Sequence, residues 1–217
     1  MVPVSEHRTE YSRAIQLDWE GAPYYADADT AAWLSPFWAE GTPFLVLFRQ
    51  LRLERVVELA CGHGRHAAQA LPLVGHITLV DVLASNIAAC RARFGADPRI
   101  GYVVNNGNDL PRIADGSVTA LFSYDAMVHF ELLDVLSYLR EAHRVLVPGG
   151  RALLHVSNNR ENPEGRVRDN THWRNFGGLD VMRHFAVRCG LTVLAARALD
   201  WDGAAELDGL LLLEKPA

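Results

Sequence analysis

From residue 56 onward the chain alternates between two patterns. Short runs dense in β-formers recur: "VVEL" (Val56 to Leu59), "HITLVDV" (His76 to Val82), "IGYVVNN" (Ile100 to Asn106), "VTALFSY" (Val118 to Tyr124) and "RALLHVS" (Arg151 to Ser157). Between them, "LASNIAACRARF" (Leu83 to Phe94) and "ELLDVLSYLREAHRVL" (Glu131 to Leu146) space their apolar residues three and four apart, and "VPGG" closes the second. Near-continuous apolar strands separated by amphipathic helices predict a parallel sheet covered on both faces. The ending breaks this rhythm. "LTVLAARALDW" and "ELDGLLLLE" are separated only by Asp202 to Ala205, too short for a parallel crossover. The pattern therefore predicts a doubly wound, Rossmann-like α/β domain with a mostly parallel, seven-stranded sheet and an antiparallel last strand.

The first 50 residues differ. Trp19, Tyr24, Tyr25, Trp33, Phe37, Trp38, Phe44 and Phe48 crowd together, with helices expected at Thr30 to Trp38 and Pro43 to Leu51. We divide the chain into an N-terminal helical cap (1–50), either a lid over a ligand or helices docked on the sheet, and a main domain (51–217). Within the latter, "SNNRENPEGRVRDNTHWRNFGG" (157–178) is polar and without periodicity, which inside a compact domain marks a functional or disordered loop.

Composition narrows the chemistry. A chain of 217 residues, 49% hydrophobic, supports one sizeable core. The formal charge of -5 and the scattered basic residues argue against a nucleic-acid partner. No leader pattern and no apolar run of about 20 residues is seen, so no membrane partner is expected and a cytoplasmic location is. Cys61, Cys90 and Cys189 are too far apart for a disulfide framework or a zinc motif, and no metal is assigned. Lys215 is the only lysine, which removes Schiff-base, P-loop and Tyr-x-x-x-Lys chemistry from the fold.

The remaining signal is "ELACGHGRHA", Glu58 to Ala67. Gly62 and Gly64 let a backbone turn tightly against a ligand. Asp81, at the end of the second strand, can accept ribose hydroxyls, which suits an adenosine ligand at the carboxyl ends of the strands. Gly62, Gly64 and Ala67 also satisfy G-x-G-x-x-G/A, so a nicotinamide dinucleotide competes. Glu58 would repel a pyrophosphate but not a sulfonium carrying an ammonium group.

At these residues the chain resembles the class I S-adenosylmethionine-dependent methyltransferases, whose first motif is Glu-x-Gly-x-Gly-x-Gly. Ala60 stands where the first glycine is usual, so the turn there has to tolerate a methyl group. The resemblance continues through "LVDV", "GNDLP", "LFSYDAMVHF" and "HRVLVPGGRALLHVS", covering about Val56 to Ser157. It implies S-adenosyl-L-methionine as cofactor, held by Glu58, Ala60, Gly62, Gly64, Asp81, Val82, Asn108, Asp109, Leu110 and Tyr124. It also implies that the segment after the fifth strand builds the acceptor pocket.

For catalysis the candidates are His129 as a base, Asp125 four residues earlier to orient it or to meet the cofactor's amino end, and His172 as the next base. For the acceptor they are Asn158, Arg168, Trp173, Arg174 and His155, the last equally readable as a core residue. The arginines suit an anionic group. "THWRNF" also resembles bacterial methyltransferases associated with glycan modification, which implies a sugar hydroxyl. The sequence thus predicts methyl transfer to a small polar acceptor, a hydroxyl of a sugar or natural product. A NAD-dependent oxidoreductase and a non-catalytic cofactor-binding module are the alternatives.

Overall fold

Val56, Val57 and Leu59 are buried because the first strand runs through the middle of a seven-stranded sheet and meets packed side chains on both faces. The computed structural model describes residues 18–165 and 174–217. Its strands are β1 (Arg55–Leu59), β2 (His76–Asp81), β3 (Ile100–Val104), β4 (Val118–Ser123), β5 (Leu146–Ser157), β6 (Thr192–Trp201) and β7 (Ala204–Glu214). Their order is β3-β2-β1-β4-β5-β7-β6. The first five are parallel, and β7 is antiparallel to both β5 and β6. The strand order reverses between β1 and β4, where a parallel sheet opens a crevice at its carboxyl edge.

Helices α1 (Tyr24–Asp27), α2 (Ala31–Trp38), α3 (Pro43–Phe48), α4 (Arg65–Ala70), α5 (Ala84–Phe94), α6 (Leu132–Val145) and α7 (Leu179–Arg188) accompany the sheet. Local sequence explains several ends. Thr42 caps α3 by accepting from Leu45 N, with Pro43 at the first helical position, where a missing N–H costs nothing. Pro36 inside α2 cannot donate to the carbonyl one turn earlier, and Ser35 Oγ donates to that Ala32 carbonyl instead.

Two apolar layers flank the sheet. Val57, Leu59, Val80, Leu121 and Leu154 pack under α6 and α7, while Val56, Ile77, Leu79, Phe122 and Leu153 pack with Phe37, Phe44 and Phe48 of α2 and α3. The aromatic N-terminal helices are thus a wall of the second layer. Two elements differ from expectation. Strand β5 starts at Leu146, because "VPGG" bulges, with Gly149 left-handed (φ 71°), across a register shift opposite Val118 and Ala120 and rejoins the ladder at Arg151. Helix α7 was hidden by the polar stretch before it, although Leu179, Met182, Phe185 and Ala186 carry the helical spacing. Among the described residues, no helix is long and apolar enough to cross a membrane.

Candidate cofactor and acceptor site

The turn leaving β1 takes every second residue into the left-handed region: Ala60 (φ 56°), Gly62 (φ 53°) and Gly64 (φ 76°). Cys61 N donates to Val80 O at 3.1 Å, fastening the turn to β2. A Cβ on Gly64 would stand 2.6 Å from the Phe94 ring, so the glycine is fixed by space as well as by φ. Ala60 is the costly member, since an L-residue in this region is strained by about 1–2 kcal/mol.

Asp81 closes this side of the crevice. Its Oδ1 accepts from Leu83 N at 2.9 Å and Asn86 Nδ2 at 3.1 Å, and its Oδ2 accepts from Gly62 N at 2.9 Å. A carboxylate has about four lone-pair sites, so Oδ2 keeps one for a ligand hydroxyl. The carboxylate fits a ribose through one direct hydrogen bond, with the second hydroxyl left to a neighbour. Burial raises the Asp81 carboxyl, and the backbone donors of Leu83 and Gly62 oppose that.

On the other side of β1, the chain leaves β4 through Asp125, also left-handed (φ 53°). Tyr24 donates to Asp125 Oδ2 at 2.7 Å, Arg65 Nη2 at 2.5 Å, and Arg65 also donates to the Tyr24 hydroxyl at 2.7 Å. Burial pushes the Asp125 carboxyl up, but Arg65, His155 and the Tyr24 hydroxyl outweigh it and hold the group below the usual range. Burial and the adjacent carboxylate push the Tyr24 hydroxyl up, so it stays a donor.

Between these sides lies a cleft of about 120 Å³, against about 10–15 Å³ for a single water, which admits an organic ligand. Of the residues named from the sequence, Ala60, Gly62, Asp81, Val82, Tyr124, Asp125 and His129 line it. Trp19, Tyr24 and Tyr25 cover it. The Trp19 ring lies 5.6 Å from that of His129, and Tyr25 stacks on His63 at 4.1 Å with its hydroxyl accepting from Asn86. His129 ends a short 3₁₀ turn, Met127–His129.

Other expected residues stand back from the cleft. Glu58 is buried behind the glycine turn, where desolvation raises its carboxyl well above the ordinary value and Oε2 has no hydrogen-bond partner among the described residues. Gly64 shapes the turn without lining the cleft. Asn108 donates to Asp134, Asp109 accepts from Asn106 N, and Leu110 is core, its N–H donating to Glu141. The cleft residues next to them are Asn105 and Gly107. Asn158 bonds Glu206 O and Leu179 N, fixing the start of α7. Arg174 is engaged by both oxygens of Asp208, at 2.8 and 2.6 Å, with Trp201 over its guanidinium. His155 is fully buried under Tyr124, their rings 4.4 Å apart. Arg168, His172 and Trp173 lie outside the described residues.

Sequence reasoning missed Arg65, His66, Asn86 and Asn105 as cleft residues, and had Trp19 and Tyr25 only within an aromatic segment read as a lid or as docked helices. Arg65 and His66 stand inside the quoted glycine motif, but their partners, Asp125 and Trp38, are remote in the chain.

Residues 56–150 match the profile of a methyltransferase domain. The chain is 37% identical over 100 residues to the ubiquinone/menaquinone biosynthesis C-methyltransferase of Rubrivivax gelatinosus, covering 46% of this chain and 38% of that protein. It is 31% identical over 105 residues to the demethylmenaquinone methyltransferase of Clavibacter sepedonicus, covering 46% and 40%. The match thus spans under half the length of either relative. Among solved structures, the 1,6-didemethyltoxoflavin-N1-methyltransferase of Burkholderia thailandensis, with 1,6-didemethyltoxoflavin and S-adenosylhomocysteine bound, aligns at TM-score 0.69 and 19% identity over 97% of this chain and 91% of its own. An S-adenosylmethionine-dependent methyltransferase from Mesorhizobium loti aligns at TM-score 0.63 and 18% identity, covering 79% and 96%. At such identities the likeness is one of fold.

Proposed function

We propose that this chain, whose residues 56–150 match a methyltransferase domain, is a class I S-adenosylmethionine-dependent methyltransferase that transfers a methyl group from that cofactor to a small, hydroxyl-bearing ring of a natural product. The observation that carries the proposal is the division of the cleft. The left-handed glycine turn and Asp81 lie on one side of β1, while His129, under the Trp19 ring, and Asp125 lie on the other.

S-adenosylmethionine, when bound, supplies a methyl on a sulfonium, open to in-line displacement. The chain's own contribution is to hold the acceptor, exclude water and take a proton. Asp81 Oδ2 accepts a ribose hydroxyl and the turn lets backbone approach the cofactor. At the other side, His129 takes the hydroxyl proton and the aromatic cover favours a flat acceptor over a sugar. The two quinone-pathway relatives support that choice, being named for a ring acceptor. They also favour a second outcome. Deprotonating a ring hydroxyl enriches the adjacent ring carbon, so the same base serves carbon methylation.

The test is release of S-adenosylhomocysteine against a panel of phenols, hydroxyquinones and sugars, with the product's methyl located by NMR. Turnover with a hydroxylated ring is expected, and His129→Ala lowers it about 10²–10⁴-fold while leaving cofactor affinity nearly intact. Binding of NADH without either sulfur cofactor would sink the proposal. So would full turnover in His129→Ala across the pH range, as far as the base is concerned.

A further inference from the structure

Asp81 alone satisfies half of a ribose. Its Oδ1 is filled by Leu83 N and Asn86 Nδ2, and Oδ2, already bonded by Gly62 N, has room for one ligand hydroxyl. The ribose of an adenosine ligand presents two adjacent hydroxyls, so a second protein group is needed on the same side. The cover supplies one. The Tyr25 hydroxyl accepts from Asn86 Nδ2 at 3.0 Å, and the same nitrogen donates to Asp81 Oδ1 at 3.1 Å. Asn86 thus sets the phenol beside the carboxylate, and both line the cleft.

Having accepted from Asn86, that oxygen still carries its own proton, and it donates to none of the described residues. Burial pushes the Tyr25 hydroxyl up to about 12, so the proton stays on near neutral pH. The two groups are complementary, since a carboxylate accepts and a phenol can donate. One ribose hydroxyl donates to Asp81, and its neighbour accepts from Tyr25.

Tyr25 is held in this place by the glycine turn itself. Its ring stacks on His63 at 4.1 Å. A Cβ on Gly62 would stand 3.0 Å from its Cε1, so this glycine makes room for the cover as well as for a ligand. Four residues on, Asp29 pairs with both Nη atoms of Arg93, which also donates to His63 O at 3.1 Å. Through α1 the same contact reaches the acceptor side. Tyr24 donates to Asp125, and both tyrosine rings meet Trp19, at 5.6 and 6.5 Å, which lies over His129.

We propose that Tyr25 is the second ribose-reading residue, donating to the hydroxyl that Asp81 does not take, and that the bound cofactor thereby fastens the aromatic cover over the acceptor side. The proposal rests on the S-adenosylmethionine reading above.

Calorimetry with S-adenosylhomocysteine and its 2′-deoxy and 3′-deoxy analogues tests it, in wild type and in Tyr25→Phe, which keeps the stacked ring and removes the hydroxyl. Wild type is expected to bind one analogue about three- to tenfold more weakly than the parent, and the one that loses the Asp81 contact about tenfold or more weakly. Tyr25→Phe binds the parent about three- to tenfold more weakly and no longer distinguishes it from the first analogue, while the penalty on the second stays. Unchanged affinity for the parent overturns the proposal, as does tighter binding, which would mean that the hydroxyl stands in the ribose's own place. An equal loss for all three ligands makes the hydroxyl a prop for Asn86 and overturns it too. The fastening is read by amide exchange at saturating S-adenosylhomocysteine, which is expected to slow in α1 of wild type and much less in Tyr25→Phe. Equal slowing in both removes the link to the cover. If wild type binds none of the three ligands, the proposed function itself fails and takes this assignment with it, whereas binding by wild type with unchanged affinities in Tyr25→Phe removes Tyr25 alone.

Discussion

At the scale of single residues, the site is a set of strained positions. Ala60 and Asp125 have positive φ where glycine would relax, and both line the cleft. Ala60 has a methyl in the place where the family's motif has glycine. Ala60→Gly relieves strain of about 1–2 kcal/mol and gives back about 0.4–1 kcal/mol through the freer unfolded chain. The net expected is a gain of up to about 1.6 kcal/mol, read as a higher urea midpoint with unchanged slope. A lower midpoint would mean that the Ala60 methyl packs usefully. The sequence exposed this position because residue type and backbone requirement disagree within one motif. It named Arg174 only as an acceptor contact and did not expose its partner Asp208, which follows 34 residues later on β7. Four arginines in a polar stretch look alike until folding assigns their carboxylates.

At the scale of elements, β1, β2 and β4 were legible because strands packed on both faces read as nearly unbroken apolar runs, the edge strand β3 because β-formers dominate it, and β5 only from Arg151 onward. The hairpin of β6 and β7 was legible because its connection is short. The role of α1 was not, since four residues cannot hold a helix without tertiary contacts. Its contacts are Tyr24 on Asp125 and Arg65, and Tyr25 on His63 and Asn86. Tyr24→Phe removes a hydrogen bond to a charged acceptor, worth about 1.5–3 kcal/mol, and leaves the Arg65 to Asp125 pair in place. The loss is local, so amide exchange is expected to speed up by about 10–100-fold in α1 while β1 and β4 keep their protection. Uniform acceleration through the sheet would show that the hydroxyl supports the whole fold instead of the cover.

At the scale of the whole molecule, stability carries opposing pH dependences from four buried carboxyls. Asp125 and Asp208 are held below the ordinary range despite burial, the first chiefly by Arg65 and the second by Arg174 and His155. Their contribution is full above the unfolded value and is lost as the pH falls through the folded one. Glu58 and Asp81 go the other way, because burial raises both. For Glu58 the folded protein binds the proton more tightly than the unfolded chain. Stability is then full below the unfolded value, near pH 4.3, and declines as the pH rises toward the folded one. Glu58→Gln has no proton to lose. Whatever constant cost its amide adds in a pocket where Oε2 lacks a partner, that cost is the same at every pH. The melting temperature of the variant relative to wild type is therefore expected to rise as the pH climbs above the unfolded carboxyl value, each kcal/mol appearing as about 2–4 °C. A pH-independent difference would place the Glu58 carboxyl in an environment as wet as the unfolded chain. A difference that shrinks with pH would mean that a cation partners the ionised group, restoring Glu58 to the electrostatic part in cofactor binding that its place in the motif implies.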